Sequence, residues 1–254
     1  MSIDWLSTQA AIWRAKRAAL RPVSCLDNIV LDDLLGIDRQ KAAVVENTQR
    51  FVSGKKANNV LLWGARGTGK SSLIKALLNQ FVADGLRVIE VDKDDLGDLP
   101  EIVDDIRELP QRFIIFCDDL SFESGEGGYK HLKSVLEGSI ELPPENVLIY
   151  ATSNRRHLMP EHNSDNAGTQ IFNGELHHGD VVEEKLSLAD RFGLWLSFYP
   201  INWEEYFAVI DHLFADMAYT AEQQDALHRE ARQFALDRAS HSARVAKQFW
   251  LARS

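Results

Sequence analysis

The hydrophobic positions between about residues 30 and 200 form short continuous apolar runs, separated by stretches of helical periodicity. Continuous apolar runs indicate strands buried on both faces, and helices between them indicate a parallel sheet. The sequence therefore predicts an α/β sandwich with a five-stranded parallel sheet covered by helices. The predicted strands are Asn59–Trp63, Leu86–Val91, Phe113–Cys117, Asn146–Ala151 and Leu194–Tyr199. The predicted helices are Arg39–Phe51, Lys70–Ala83, 98–108, Tyr129–Glu137 and a turn at 187–193.

Both ends of the chain depart from this alternation. Residues 4–20 have apolar positions at helical spacing and a basic side, which predicts an N-terminal helical extension over 1–29. A helix docked on the main domain and an arm that faces a partner or a membrane both fit that pattern. After Pro200 the strand signals stop, and three helical stretches predict a small all-α lid over 201–254. These stretches cover 203–217, 221–237 and 241–252.

The core domain predicted between these ends, residues 30–200, contains one polar stretch that breaks the rhythm. Residues 158–186 are poor in aliphatic side chains and rich in turn formers, so a mobile or functional loop is expected. The histidines of this stretch have neither H-E-x-x-H nor paired C-x-x-C spacing, so no zinc site is predicted.

The composition of the 254-residue chain excludes several classes of protein. Hydrophobic residues at 45% and charged residues at 26% are ordinary globular values, and no apolar run reaches the length of about 18 residues that a membrane span needs. The N-terminus lacks a secretory apolar region, and two cysteines are too few for a disulfide framework, so a cytoplasmic protein is expected. A net charge of −10 makes nucleic acid a possible partner through a local basic face only.

The strongest chemical signal follows directly after the first predicted strand. The pattern G-x-x-x-x-G-K-[ST] predicts a loop whose backbone N–H groups wrap phosphates, with a helix N-terminus directed at the same anion. Lys70 is expected to reach the β- and γ-phosphates of a nucleotide, and the Ser71 hydroxyl is expected to bind Mg²⁺. The loop consists of Gly64, Ala65, Arg66, Gly67, Thr68, Gly69, Lys70 and Ser71.

A second signal lies after the third predicted strand, Phe113–Cys117. Asp118 and Asp119 follow this buried strand, and acids in that position can hold Mg²⁺ and orient an attacking water. Ser121 stands where a GTPase would have glycine, and no N-K-x-D motif is present, so ATP is favoured over GTP. The fourth strand leads to Asn154, whose amide can hold water or contact the γ-phosphate, although Asn is equally common as a turn former.

Taken together, these residues resemble the AAA+ ATPase superfamily over roughly residues 30–252. The loop at 64–71 resembles its Walker A element, the acids at 118–119 resemble Walker B, and Asn154 is similar to sensor 1. The strings FCDDLSFE, ATSNRRHL and EEKLSLADRFGLWLSFYP narrow the resemblance to DUF815, a bacterial AAA+ family of unassigned function. The resemblance implies that ATP and Mg²⁺ are the ligands.

The resemblance also implies that the site is shared between subunits of a homo-oligomer. Arg191, in the string SLADRFG, is similar to the arginine finger that enters a neighbouring subunit's site. A helix-capping role or an ion pair with Asp190 is the alternative for this side chain. Arg155 and Arg156 are competing candidates for the same trans-acting role.

Two segments at the borders of the core complete the resemblance. Arg244, at the start of the last lid helix, resembles sensor 2, which reports the nucleotide state from the lid to the phosphates. An ordinary lid surface charge is the alternative. The segment Leu35–Gly36 falls where the family usually contacts adenine.

The predicted function is ATP hydrolysis at a site completed by a second subunit, coupled to remodelling or loading of an unidentified protein partner. Most members of the superfamily have Glu where Asp119 stands, so either Asp119 suffices, or Glu123 contributes, or the protein is a slow ATP switch. The second hypothesis is accordingly a nucleotide-gated adaptor with negligible turnover. A small-molecule phosphotransferase ranks last, because residues 158–186 contain no arginine.

Overall fold

One sheet of seven strands organises the protein. The computed structural model describes residues 3–120, 132, 135–136, 142–154, 170–172, 175–177 and 191–253. The strands of the sheet are β1 (Ala10–Arg14), β2 (Ala19–Pro22), β3 (Val60–Gly64), β4 (Leu86–Glu90), β5 (Arg112–Cys117), β6 (Val147–Ser153) and β9 (Leu194–Phe198). A separate antiparallel pair consists of β7 (Gln170–Phe172) and β8 (Glu175–His177). The helices described in full are α1 (Asp38–Val52), α2 (Lys70–Phe81), α3 (Leu99–Ile106), α4 (Trp203–Leu213), α5 (Ala221–Asp237) and α6 (Ala243–Leu251).

The strands lie in the order β2-β1-β4-β5-β6-β3-β9. All neighbouring pairs are parallel except β1 and β2, which are antiparallel. The five predicted strands are therefore confirmed, and their carboxyl ends meet at one edge of the sheet. Ligands of such sheets bind at this edge, where the loops after β3, β5 and β6 come together.

Apart from a 3₁₀ turn over Ala15–Arg17, residues 3–29 are not helical, which corrects the prediction for residues 4–20 and for a helical extension over 1–29. It forms the β1–β2 hairpin, and β1 pairs with β4, so the sheet has seven strands instead of five. Ala11 and Trp13 pack in one core cluster, whereas Ala10 packs in the other. The apolar spacing that imitates a helix therefore belongs to a strand buried on both faces.

Apolar side chains cover both faces of this sheet. Along β3, Leu61 packs with the apolar face of α3, whereas Val60 and Leu62 pack with α1 and α2. The alternation follows from the period of two along a strand, and all three side chains are fully buried. Because β3 is central and covered on both sides, the loop that follows it begins from a fixed position.

The three predicted lid helices are present and enclose a cluster of their own. Tyr206, Ile210 and Ala231 are fully buried in that cluster. A capping box begins α4, because Asn202 and Glu205 each accept a hydrogen bond from the other's backbone N–H. Within the described ranges, no helix combines the length and the apolar character needed to cross a membrane.

Two sequence predictions fall largely outside the described residues. The predicted loop 158–186 contains the β7–β8 pair, which the sequence pattern did not indicate, and its other residues are not described. The predicted helix Tyr129–Glu137 is described only at 132, 135 and 136, which are helical. The mobility of the loop therefore stays a prediction.

Candidate functional site

The phosphate loop begins where β3 ends, and its first residue must be glycine. Gly64 has a φ of +130°, and a Cβ on it would lie 2.0 Å from the carbonyl oxygen of Phe198. The N–H of Ala65 donates to that same oxygen at 3.0 Å. A side chain at position 64 would therefore push β3 and β9 apart where the loop starts.

Two further glycines turn the loop toward α2. Gly67 and Gly69 have φ values of +76° and +91°, in the left-handed region that glycine adopts without strain. Thr68 Oγ1 donates to the carbonyl oxygen of Ala65 at 2.8 Å, which closes the turn. Because α2 begins at Lys70, the N–H groups of its first turn face the loop and form an anion site.

Lys70 lies inside the loop that precedes it. Its Nζ donates to the carbonyl oxygens of Gly64 and Ala65 at 3.0 and 2.7 Å, and to Asn154 Oδ1 at 3.1 Å. Burial of the side chain lowers the pKa of Lys70 to about 8. An ammonium group that has lost most of its hydration gains strongly from an anionic ligand such as phosphate.

Charged neighbours act on the pKa of Lys70 in both directions. After burial, the carboxylates of Asp118 and Asp119 act most strongly and raise this pKa. Arg244 and Arg66 lower it, because like charges disfavour the ammonium form. Two acids and two arginines therefore lie close enough to Lys70 to act on its charge.

Asp118 and Ser71 form the oxygen pair predicted to hold Mg²⁺. Ser71 Oγ donates to Asp118 Oδ1 at 2.7 Å, which joins the end of β5 to the start of α2. Thr152, on β6, donates to the same carboxylate oxygen. A carboxylate and a hydroxyl are hard oxygen ligands of the kind that Mg²⁺ prefers, directly or through water. The donor set therefore fits magnesium.

Asp119 has a φ of +50°, which is uncommon for a residue other than glycine. Its Oδ1 accepts from Asn154 Nδ2 at 2.5 Å, and its Oδ2 lies 4.0 Å from Arg66 Nη2. Asn154 also accepts from Lys70, so its amide joins the lysine to the acid. The structure thus brings the predicted phosphate, metal and water-orienting residues into one connected network.

The predicted adenine segment lies beside the phosphate loop. A Cβ on Gly69 would lie 3.7 Å from Ile37 Cδ1, so this segment packs against the turn into α2. Gly36, with a φ of +75°, turns the chain, and Leu35 packs against the lid cluster. Leu35–Gly36 therefore lies between the core and the lid, which is compatible with the predicted contact to adenine.

The lid reaches the phosphate loop at the start of α6. Ser242 caps this helix, and its Oγ accepts from the N–H of Val245 at 3.4 Å. A Cβ on Gly67 would lie 2.8 Å from Ser242 Oγ and 3.3 Å from the Cβ of Arg244. Arg244 is therefore beside the loop, and its sensor 2 role stays a prediction. The close approach of Ser242 to Gly67 was not predictable from the sequence, in which only the glycine hints at it.

Arg191 is not brought to this site. In the parallel pair of β9 and β3, Leu194 is paired with Val60 and Phe198 with Gly64. Arg191 precedes β9 and so lies at the amino edge of the sheet, separated from its own phosphate loop by the length of β3, about 13 Å. The side chain is partly exposed there.

The residues after Arg191 fix its position, and the sequence reasoning missed them. Phe192 is 2% exposed in the core cluster that lies beneath α3. A Cβ on Gly193 would lie 2.4 Å from Asn58 Oδ1. The side chain of Asn47 holds the backbone of Asn58 through hydrogen bonds of 2.8 and 2.9 Å. The sequence signal for this anchored turn was the pair Phe192 and Gly193, a large apolar residue and a glycine directly after the arginine.

Several predicted residues lie outside the described part of the chain. They are Glu123, Arg155, Arg156 and Asp190. The alternatives that depend on them, including the competing trans-acting arginines, stay predictions. Over the residues whose positions are described, no group of three or more His, Cys, Asp or Glu is arranged to hold a metal ion.

A solved structure shares this architecture, and a second is similar over most of the chain. A chain of the HORMA:CdnC:Trip13 complex of E. coli MS115-1 has a TM-score of 0.57 and 11% identity, covering 88% of this chain and 90% of that chain. The RuvB Holliday junction branch migration motor of Thermotoga maritima has a TM-score of 0.47 and 15% identity, covering 88% and 71%. The first likeness confirms the predicted α/β fold of AAA+ P-loop ATPases.

Sequence comparison gives a distant relative and a family. The replication factor C large subunit of Methanococcus vannielii is 25% identical over 171 residues, which cover 64% of this chain. The chain spans only 34% of that relative's length. Residues 6–253 match the family described as "Protein of unknown function (DUF815)", which confirms the narrower resemblance. The chain therefore belongs to the DUF815 family.

Proposed function

We propose that the protein is an AAA+ ATPase that binds and hydrolyses Mg-ATP at the carboxyl edge of its sheet, in a site that a neighbouring subunit completes. The observation that carries this proposal is the hydrogen-bonded network in which Asn154 joins Lys70 to Asp119, with Ser71 bound to Asp118 beside it. Groups for binding phosphate, holding a metal ion and orienting water thus lie together in one chain.

Each group in this network has a task in phosphoryl transfer. The loop backbone and Lys70 bind the phosphates, and the ammonium group exchanges neutral carbonyl partners for an anion. Ser71 and Asp118 hold Mg²⁺, which when bound neutralises charge on the phosphates. Asp119 and Asn154 orient the attacking water, and the carboxylate accepts its proton.

Arg191 is proposed to act on the site of a neighbouring subunit. The length of β3, about 13 Å, separates it from its own phosphate loop, and the residues that follow it, Phe192 and Gly193, pack in the core and against Asn58. An arginine supplied in this way is worth about 10³–10⁵ in turnover, because it stabilises charge on the transferred phosphoryl group. An isolated protomer is therefore expected to be nearly idle, and the active form is a homo-oligomer.

The proposed output is remodelling or loading of a protein partner. The lid touches the phosphate loop through Ser242 and Arg244, so a change at the phosphates changes the contacts of the lid. The similar E. coli chain comes from a complex that contains HORMA and CdnC, and the archaeal relative is a subunit of a replication factor. Both similarities support a function within a multi-protein assembly. A net charge of −10 gives no support to nucleic acid as the partner.

Steady-state ATP turnover per protomer, measured over a wide range of protein concentration, tests this proposal. Turnover is expected to rise with concentration, because sites are completed between subunits. The control is Lys70→Ala, which removes the ammonium group and is expected to abolish nucleotide binding and turnover. Equal ATP hydrolysis by wild type and Lys70→Ala would show that this site is not the ATPase.

A nucleotide-gated adaptor with negligible turnover is the second candidate, and the surroundings of Asp119 favour it. This carboxylate is one methylene shorter than Glu and is already held by Asn154 and Arg66. In that case ATP occupancy alone sets the position of the lid. Recovery of partners from lysate with ATP should then depend on Lys70, and equal recovery by wild type and Lys70→Ala would contradict it.

A further inference from the structure

A buried hydroxyl lies between the two acids of the site. Thr152 is 1% exposed, and its Oγ1 donates to Asp118 Oδ1. Thr152 Oγ1 also accepts a hydrogen bond from the N–H of Asp119 at 2.9 Å. The carbonyl oxygen of Thr152 accepts from the N–H of Leu120 at 2.6 Å. One residue of β6 therefore contacts all three residues that follow β5.

These contacts need a hydroxyl. A threonine hydroxyl donates one hydrogen bond and accepts others, so it can serve the carboxylate of Asp118 and the N–H of Asp119 at once. Valine has nearly the same shape but neither function. Serine keeps both functions and loses only the methyl group. The chemistry of this position is therefore separable from its packing.

The contact to Asp119 bears on an unusual backbone conformation. Asp119 has a φ of +50°, and such a conformation persists when the surrounding structure fixes it. The Thr152 hydroxyl holds the N–H of this residue while Asn154 holds its carboxylate. The orientation of Asp119, the proposed water-orienting acid, thus depends on the Thr152 hydroxyl, which is not itself proposed to bind phosphate.

The contact to Asp118 bears on the metal. Ser71 and Thr152 both donate to Oδ1 of this carboxylate, so two hydroxyls on different elements hold the same oxygen. Hydrogen bonds from residues behind a ligand fix its orientation and tune its affinity for the metal. Thr152 therefore acts on the metal ligand and on the water-orienting acid through the same atom.

From this geometry we infer that Thr152 is a positioning residue that sets the orientation of Asp118 relative to Asp119 and so couples magnesium binding to hydrolysis. The inference rests on the proposed function, because it assigns a role within the same site. Thr152 is not a catalytic residue, since it contacts neither nucleotide nor water in this role. It acts through the two acids.

The test compares Thr152→Val with Thr152→Ser in the full chain. The measurements are kcat, the KM for ATP, the Mg²⁺ concentration that gives half-maximal turnover, and the midpoint of thermal unfolding. Thr152→Val is expected to lose about 10–100-fold in kcat and to need more Mg²⁺, as for other residues that orient metal ligands. Its Mg²⁺-free binding of ADP is expected to stay unchanged, because the phosphate loop is intact.

The serine variant separates the hydroxyl from the methyl group. Thr152→Ser is expected to keep wild-type kcat and wild-type Mg²⁺ dependence. Wild-type turnover and Mg²⁺ dependence in Thr152→Val would overturn the inference. Equal losses in Thr152→Val and Thr152→Ser would also overturn it, because they would assign the effect to packing. Thr152→Cys, which keeps the size and weakens the donor, replaces the valine variant if that variant unfolds.

The proposed function and this inference fail in distinguishable ways. Wild-type protein that binds no nucleotide overturns both. If wild type binds ATP without hydrolysing it, the inference still predicts that Mg²⁺ tightens binding of ATP to wild type and Thr152→Ser but not to Thr152→Val. Equal tightening by Mg²⁺ in all three proteins would overturn the inference alone.

Discussion

The two edges of the parallel sheet carry different kinds of site. At the carboxyl edge, Lys70, Asn154 and Asp119 already contact one another within a single chain. At the amino edge, Arg191 is followed by Phe192 in the core and by Gly193 against Asn58, and β3 separates it from that network. The comparison shows that a residue can be positioned by packed neighbours without contacting the site in its own chain. One edge contains a network within the chain, and the other carries the arginine that we propose acts on a neighbouring subunit.

The largest expected effect comes from removing the amino-edge arginine. Arg191→Ala is expected to lose about 10³-fold or more in ATP turnover, because charge on the transferred phosphoryl group is no longer stabilised. Binding of ATP is expected to persist, since the carboxyl edge is unchanged. Arg229→Ala, an exposed arginine of the lid, is the control and is expected to behave as wild type. Normal turnover by Arg191→Ala would show that the amino edge does not contribute an arginine to ATP hydrolysis.

Mixing two inactive variants tests whether Arg191 acts on a neighbouring subunit. Lys70→Ala protein keeps Arg191, and Arg191→Ala protein keeps an intact phosphate loop. Mixed oligomers are expected to recover part of the wild-type turnover, because a Lys70→Ala subunit can complete the site of its neighbour. Turnover is measured at constant total protein while the ratio of the two variants is changed. A mixture as inactive as its components would show that Arg191 does not act in trans.

A smaller effect is expected from disturbing the anchor of the amino edge. A Cβ on Gly193 would lie 2.4 Å from Asn58 Oδ1, so Gly193→Ala forces this turn to shift and is expected to lower the free energy of unfolding by about 1–3 kcal/mol. Turnover should fall more than ATP affinity, because Arg191 moves and the phosphate loop does not. Chemical denaturation and turnover are compared in Gly193→Ala and in the double variant with Asn58→Ala, which removes the two nearest atoms of the clash, Oδ1 and Cγ. Failure of the second substitution to recover stability would contradict the steric explanation.

The smallest effect is a pH dependence at the carboxyl edge. Burial lowers the pKa of Lys70 to about 8 in the absence of nucleotide. The cationic form binds phosphate, so affinity is full below this pKa and is lost as the pH rises through it. From about pH 7 to pH 9 the Mg²⁺-free affinity for ATP is expected to fall about tenfold, in proportion to the charged fraction. Lys70→Arg keeps its charge over this range and is expected to show a flat profile. A flat profile in the wild type would show that Lys70 stays charged.

The core and the phosphate loop were predictable because their signals are local. A buried strand shows as a continuous apolar run, and a phosphate loop needs glycines and a lysine at fixed spacing. Thr152 and Gly193 were not predictable in this way. Thr152 meets Asp118 only because β5 and β6 pair with Cys117 opposite Ala151, and register of this kind is not readable from either strand alone.

The N-terminal strands show how tertiary contacts override local preference. Apolar positions at helical spacing, together with a basic side, led to the wrong prediction of a helix over 4–20. The hairpin turn uses Ala18 at a φ of +43°, so no glycine marks it. Trp13 Nε1 donates to Asp98 Oδ2 at 2.8 Å, across 85 residues of sequence, which no local pattern reports.

The β1–β2 hairpin also decides how copies of this protein can associate. Its outer strand is only 4 residues long, carries the exposed Arg21 and ends in Pro22, which has no N–H to offer another strand. That side of the sheet is therefore a poor template for strand addition. Copies that met at this side would therefore do so through side-chain surfaces and not through a shared backbone ladder.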